Sequence, residues 1–339
     1  MFYGRTVAVI IPAYRVEKWI VKVINGLPAF VDRIIVVDDA SPDNVARVVT
    51  DLNHPKVKLI KHKRNLGVGG AMKSGFREAI EEGIDLIVKM DGDDQMDPVY
   101  LGPLLYPLVK KECDYIKGNR FGILSNIKNM PVVRRIGSLV LTLLNKFASG
   151  YWHVVDPQNG YIGIRGDVLR RLNLKWIDNS YFFENSMLIN LNIVEAKVSD
   201  MLMPSRYGDE ESSMDIFTIA IKFPLKLVKG FFFRLFFRYF YCDFSPVFVF
   251  FVLGMAMMCG GGVWGAIAWY KSVYHEIITE IGTFALGLIP LLMGFQFCMN
   301  ALILDVQQSP RGKEKSYDYS DRERKLINDR LNMDYESIN

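Results

Sequence analysis

The chain has 339 residues, more than one ordinary domain needs, and half of it is hydrophobic with a mean hydropathy of +0.13, which points to a membrane part. A net charge of +4 is too modest to argue for a nucleic-acid partner. Four scattered cysteines (Cys113, Cys242, Cys259, Cys298) without CxxC spacing, and four histidines without a ligand pattern, indicate neither a disulfide framework nor a zinc site.

In chain order, Met1 to Arg5 is too short for a signal n-region, and the apolar run Val7–Ile11 ends at Pro12. It reads as a central parallel strand, so the N-terminal half is expected to stay in the cytoplasm. Glu17 to Leu27 is helical in pattern, and Arg33–Val37 is a second buried strand ending on Asp38-Asp39-Ala40-Ser41-Pro42-Asp43. A helix over Asn44–Leu52, a strand over Lys56–Lys61 and a helix over Met72–Glu82 follow, the last opened by Asn65-Leu66-Gly67-Val68-Gly69-Gly70-Ala71. Strand–helix alternation of this kind makes a doubly wound α/β sheet, with ligands outside the carboxyl ends of the strands. The glycines lack GxGxxG spacing after a first strand and no GxxxxGK[ST] occurs, so dinucleotide and P-loop readings are weak. They shape a pocket wall or pack closely at a helix start.

The strand Leu86–Met90 runs into Asp91-Gly92-Asp93-Asp94-Gln95-Met96-Asp97-Pro98, four carboxylates within seven positions. Such a cluster repels itself unless a cation or hydrogen-bond donors neutralise it. In extended backbone Asp91 and Asp93 fall on one face, and hard oxygen ligands suit Mg²⁺ or Mn²⁺ that shares its shell with phosphates.

Taken with Pro12-Ala13-Tyr14, the acidic turn after Val37 and Asn65-x-Gly67-x-Gly69-Gly70-Ala71, this turn resembles those of family 2 GT-A glycosyltransferases. More narrowly, the set is similar to the polyprenyl-phosphate sugar synthases, over roughly residues 5–215. The resemblance implies a GT-A (Rossmann-like, doubly wound) catalytic domain over 1–214 and a metal-dependent, inverting hexosyltransferase. The donor it implies is a UDP- or GDP-linked hexose, and the acceptor an undecaprenyl or dolichyl phosphate. Pro12, Tyr14, Glu17, Asp39, Asp91, Gly92 and Arg206 match nucleotide-sugar-binding positions, although Arg15-Val16-Glu17 departs from the usual Asn-Glu after the tyrosine. Asp91, Asp93 and Gln95 match the Mg²⁺ or Mn²⁺ site. Arg120, Arg134 and Ser138 match the acceptor phosphate grip; Arg134 and Ser138 lie four apart, on one helical face. Asp156, in Asp156-Pro157-Gln158-Asn159-Gly160, is the candidate to orient or deprotonate the acceptor, and with Asp93 makes up the catalytic set. Phe182-Phe183-Glu184 is a candidate sugar-facing element, and Arg206-Tyr207-Gly208 a loop over the diphosphate.

Further on, 215–242 reads as amphipathic and juxtamembrane, with Lys222, Lys226 and Lys229 on one face among aromatics. Phe244–Tyr270 and Ile281–Leu304 are uncharged and long enough to span a bilayer within the segment 243–305. Positive residues crowd before the first span (with Arg234 and Arg238) and after the second (Arg311, Lys313, Lys315), so both ends are expected in the cytoplasm. That makes a multi-pass inner-membrane protein with a charged cytoplasmic tail over 306–339. The resemblance implies a homo-oligomer, a tetramer. Two other classes share the fold: a processive polysaccharide synthase, which no Gln-x-x-Arg-Trp supports, and a non-catalytic membrane scaffold.

Overall fold

The computed structural model describes residues 1–120, 132–204, 222–275, 280–320, 323–325 and 327, with backbone alone for 132–136, 138 and 315. It divides into two compact units, Met1–Phe231 with Pro310–Asn339, and Phe232–Ser309.

The first unit is built on one eight-stranded sheet. Its strands are β1 (Val7–Ala13), β2 (Arg33–Asp38), β3 (Val57–Lys61), β4 (Leu86–Lys89), β5 (Tyr115–Asn119), β6 (Ile162–Arg165), β7 (Val198–Leu202) and β8 (Arg311–Tyr317), in the order β3-β2-β1-β4-β6-β5-β7-β8. β1 pairs in parallel with β2 and β4, and β2 with β3. β6 runs antiparallel to both β4 and β5. Val7, Val9 and Ile11 face one core with α1 (Ile20–Asn25), α2 (Val45–Asp51) and α4 (Leu101–Val109). Ala8 and Ile10 face the other, with α3 (Val68–Glu81) and α6 (Phe183–Ile193). Burial on both faces is why these strands are uniformly apolar in sequence. The chain goes outward from β1 to β3 and then crosses back to β4, so the carboxyl ends of β1 and β4 flank the switch point. α5 (Val132–Ser149) follows β5 and exposes Leu139, Val140 and Leu143.

The stretch read as a charged tail contributes β8, which pairs in parallel with β7. An edge strand carries charged side chains to solvent, and among the described side chains of this strand only Tyr317 is buried, so the segment has no hydrophobic run to announce it. Lys313 Nζ holds Glu112 at 3.0 Å and the Tyr317 hydroxyl donates to the same carboxylate at 3.0 Å.

α7 (Phe223–Phe236) covers most of the described part of the amphipathic segment, and a π-helical stretch over Phe237–Cys242 continues it. Leu225, Val228, Phe232 and Phe236 are exposed along it, beside exposed Lys222 and Lys229. Lys226 differs from the expectation: its ammonium is held by Asp178 at 2.6 Å and lies over the Phe182 ring.

In the second unit, α8 (Pro246–Tyr274) and α9 (Ile281–Gln307) each hold a largely exposed apolar stretch, so both are long and apolar enough to cross a membrane. They meet through glycines spaced seven apart. A Cβ on Gly254 would come 2.9 Å from Gly294 O, and one on Gly261 would come 2.6 Å from Gly287 O. Where lipid tails remove the hydrophobic drive, such close backbone approach carries helix association. Arg234 and Arg238, read as positive flanking residues, are buried. Arg234 makes a bidentate pair with Asp305 (2.6 and 2.9 Å), whose Oδ1 also accepts from the Tyr239 hydroxyl at 2.6 Å; Arg238 donates to Gln308 O at 2.7 Å. Asp305, a lone acid at the end of an apolar run, is the counter-charge of Arg234.

Candidate active site

A cleft of about 800 Å³ opens at the carboxyl ends of β1 and β4. Pro12, Tyr14, Asp39, Asp91, Gly92, Asp93, Gln95 and Arg120 all line it. Four separate stretches of sequence therefore converge on one cavity, of the size that holds a small ligand.

At its mouth Tyr14 is 42% exposed, with the Arg15 guanidinium 5.3 Å from its ring centre. An aromatic face turned to a cleft suits a planar base. On the same side, Asp39 accepts the backbone N–H of Leu66 (2.8 Å) and Gly67 (2.8 Å), which fastens the glycine turn. That turn is short of side chains because the loop at Asp178–Ser180 packs on it. A Cβ on Gly67 would meet Asn179 O at 2.5 Å, and Gly70 N donates to Asn179 O at 3.1 Å. Close packing is thus the role of these glycines that the structure displays.

The acidic turn does not leave its charges unopposed. Lys89 Nζ pairs with Asp91 at 2.8 Å and Glu184 at 3.3 Å, and the Gly160 carbonyl accepts from it at 3.3 Å. Lys22 pairs with Asp94, a residue in the left-handed region at φ +63°. Asp97 caps the turn beginning at Pro98 by accepting from Val99 N (3.0 Å), and Asp93 accepts from Gln95 N (3.1 Å). Burial alone would push the Lys89 ammonium down, but Asp91 and Glu184 together hold it above the usual lysine range. Gly160 permits this arrangement: a Cβ there would collide with Lys89 Nζ and sit 2.9 Å from Asp91 Oδ2. The donors that remain toward the cleft are hard oxygens. Among the described residues no three His, Cys, Asp or Glu side chains group as a closed metal site. Asp91, Asp93 and Gln95 fit a divalent ion whose shell is completed by a diphosphate and water.

Arg120 stands across the cleft, anchored by Asp156 (Nε–Oδ2 2.8 Å, Nη2–Oδ1 3.2 Å), while its backbone N–H reaches Oδ2 at 3.2 Å. Asp156 itself is 1% exposed and does not line the cleft; Gln158, Asn159 and Gly160 do. Glu17 is also elsewhere: its carboxylate accepts Asn44 N at 2.9 Å, serving the start of α2, whose Asn44 makes no side-chain cap. The side chains of Arg134 and Ser138, and all of Arg206, lie outside the described residues. Sequence reading did not single out Lys89; a lone lysine closing an apolar strand was the available signal. Behind Arg120 lies a buried polar layer. Burial pushes the Asp200 carboxyl up to about 7 and the Lys117 ammonium down to about 8.

A doubly wound sheet with an acidic turn at its switch point and a cleft spanning both halves defines a GT-A fold. The sequence model of glycosyl transferase family 2 matches residues 8–172. A UDP-N-acetylglucosamine–dolichyl-phosphate N-acetylglucosaminyltransferase from Methanococcus voltae is 34% identical over 184 residues, 50% of this chain and 73% of that protein. An undecaprenyl-phosphate mannosyltransferase from Micrococcus luteus is 32% identical over 160 residues, 45% of this chain and 63% of that one. The chain belongs to glycosyl transferase family 2. Its fold is shared with glucosyl-3-phosphoglycerate synthase from Mycobacterium tuberculosis, solved with Mn²⁺, UDP and phosphoglyceric acid (TM-score 0.51, 18% identity, 68% of this chain and 78% of that one).

Proposed function

We propose that this chain moves a hexose from a nucleoside diphosphate to a polyprenyl phosphate, with inversion at the sugar carbon, at the cytoplasmic face of the inner membrane. The observation that carries this reading is one cleft holding both the acidic turn (Asp91, Asp93, Gln95) and the guanidinium of Arg120. The Methanococcus and Micrococcus relatives, a dolichyl-phosphate N-acetylglucosaminyltransferase and an undecaprenyl-phosphate mannosyltransferase, support the acceptor class. Tyr14, Pro12 and Asp39 bind the nucleoside, and Asp91 with Gly92 lies under the diphosphate. Mg²⁺ or Mn²⁺ held by Asp91, Asp93 and Gln95 would offset negative charge developing on the leaving diphosphate. Arg120 takes the acceptor phosphate; the family resemblance adds Arg134 and Ser138 there and Arg206 at the diphosphate.

The acceptor oxygen forms a bond to the anomeric carbon while the bond to the diphosphate breaks, and the leaving nucleotide keeps the electron pair. That oxygen is already anionic at neutral pH, so positioning supplies most of what the reaction needs. Chain topology supports a hairpin in the bilayer: the chain leaves the catalytic unit after Phe231 and re-enters it at Pro310. Both ends of the hairpin then lie on one side of the membrane. The decisive experiment incubates the purified full chain and polyprenyl phosphate with a panel of UDP-, GDP- and dTDP-sugars. One donor is expected to give a lipid-linked sugar whose proton coupling shows inverted configuration. No lipid product with any donor, or a retained configuration, overturns the reading.

A further inference from the structure

His62, Ser74 and Asp39 form a chain of side-chain hydrogen bonds that the reaction described above does not use. His62 follows β3 directly and is held there by its own N–H, which donates to Asp38 O at 2.9 Å. Its Nδ1 is 2.6 Å from Asp39 Oδ1 and its Nε2 is 2.9 Å from Ser74 Oγ, on α3. A Ser–His–Asp order suggests a hydrolase, but only Asp39 lines the cleft; Ser74 is on the far side of the imidazole and meets no substrate. The imidazole therefore serves the carboxylate, with Ser74 holding its other edge. A carboxylate accepts, so Nδ1 carries a proton and donates it to Asp39, while Nε2 and the Ser74 hydroxyl bond to each other.

A carboxylate has about four acceptor directions. His62 and Leu66 N–H occupy two on Oδ1, and Gly67 N–H occupies one on Oδ2. One direction on Oδ2 is left for a ligand in the cleft. With its side chain 4% exposed and three donors fixing both oxygens, Asp39 cannot rotate to offer another. We propose that His62 and Ser74 are positioning residues for nucleobase recognition, holding Asp39 so that its remaining lone pair meets a ring N–H. This rests on the reading of Asp39 as a nucleoside contact. Bases that carry such an N–H (uracil, thymine, guanine) are accepted, whereas the bare ring nitrogen of cytosine faces the carboxylate with like polarity and leaves a buried acceptor unpaired.

The test is calorimetric binding of UDP, GDP and CDP to the full chain in detergent, together with donor KM and kcat. Wild type is expected to bind UDP or GDP at least about tenfold tighter than CDP, the scale of one buried hydrogen bond. His62→Leu is expected to bring that ratio toward one, with the loss carried in the donor KM rather than in kcat. His62→Asn, which keeps an N–H near the Nδ1 position, retains the ratio. An unchanged ratio in His62→Leu overturns the proposal. If that variant does not fold, Ser74→Ala, which removes one hydroxyl from a partly buried helix position, decides by the same ratio. Asp39→Asn separates the two levels. If it leaves binding and discrimination intact, the nucleoside contact itself is wrong. If it alters them while His62→Leu and Ser74→Ala do not, only the positioning role fails.

Discussion

The ammonium of Lys89 sits between two carboxylates with 2% of its side chain exposed, and its replacement by methionine gives the sharpest test of how the site balances charge. Methionine fills a similar volume without the cation. Glu184, with its side chain 10% exposed, then loses its ion partner, while Asp91, at 32%, retains some water. Removing one member of a buried pair leaves an uncompensated charge and costs about 3–5 kcal/mol. The partial exposure of Asp91 argues for the lower end, about 3 kcal/mol. For a unit of this size that corresponds to a fall in melting temperature of roughly 6–12 °C.

Thermal unfolding of the purified full chain in detergent, followed by intrinsic fluorescence, reads the shift. Three further arms sharpen it. Glu184→Gln alone is expected to cost less, since Lys89 keeps Asp91. The double variant Lys89→Met/Glu184→Gln is expected to recover about 1–2 kcal/mol relative to Lys89→Met, because a buried charge is no longer left alone. Added Mn²⁺ is expected to raise the melting temperature of Lys89→Met more than that of wild type. A shift below about 2 °C for Lys89→Met, or strictly additive single variants, would refute the view that this lysine neutralises the floor of the cleft.

Asp93→Ala is expected to lower transfer at least about 100-fold, as loss of charge stabilisation at a leaving group does, with the melting temperature nearly unchanged; undiminished turnover with Mg²⁺ or Mn²⁺ present counts against the metal site. Asp305→Asn leaves Arg234 buried without its counter-charge, so denaturation of the hairpin unit is expected to be easier by about 3–5 kcal/mol, and Arg234→Met in the same chain should restore part of it. Asp200 supplies a pH dependence. Burial raises its folded pKa to about 7, so its contribution is complete below the ordinary carboxylate pKa of about 4 and is lost as pH rises through 7. Asp200→Asn removes that loss, and its melting temperature relative to wild type should rise from pH 5 to pH 8; a flat difference would show that Asp200 does not titrate in that window.

How much of this could be read before the structure depended on whether a residue's role is local. The acidic turns after β2 and β4 were legible because apolar parallel strands point to their own carboxyl ends, where ligands gather. Asp39, Asp91, Asp93 and Arg120 meet in the cleft as that rule implies. Glu17 sits beside Tyr14 in sequence, yet a bare helix start across the loop takes its carboxylate, and spacing does not encode that demand. Lys89 gave one signal, a charge closing an apolar strand, but its partners come from residues 91 and 184, and only folding identifies the second. β8 was hidden for the opposite reason: an edge strand with polar faces has the composition of a tail. Arg234 was misleading because positive flanking charge and a buried ion pair look alike until Asp305 is placed beside it.

The position of Asp156 bears on the chemistry more than on the fold. The sequence left it two roles, orienting the acceptor or taking its proton. Both of its oxygens are engaged by the Arg120 guanidinium, Oδ2 also faces Asn159 Nδ2 at 3.4 Å, and the side chain lies behind the cleft wall. A base must reach the proton it abstracts, within hydrogen-bond distance or through one water. On the proposed reaction there is also little to abstract, since a phosphate acceptor arrives as an anion. What such an acceptor requires is a cation held still: a guanidinium already fixed along one edge loses less side-chain freedom on binding than a mobile one. Orientation through Arg120 is therefore the role that the geometry of Asp156 and the chemistry of an anionic acceptor favour together.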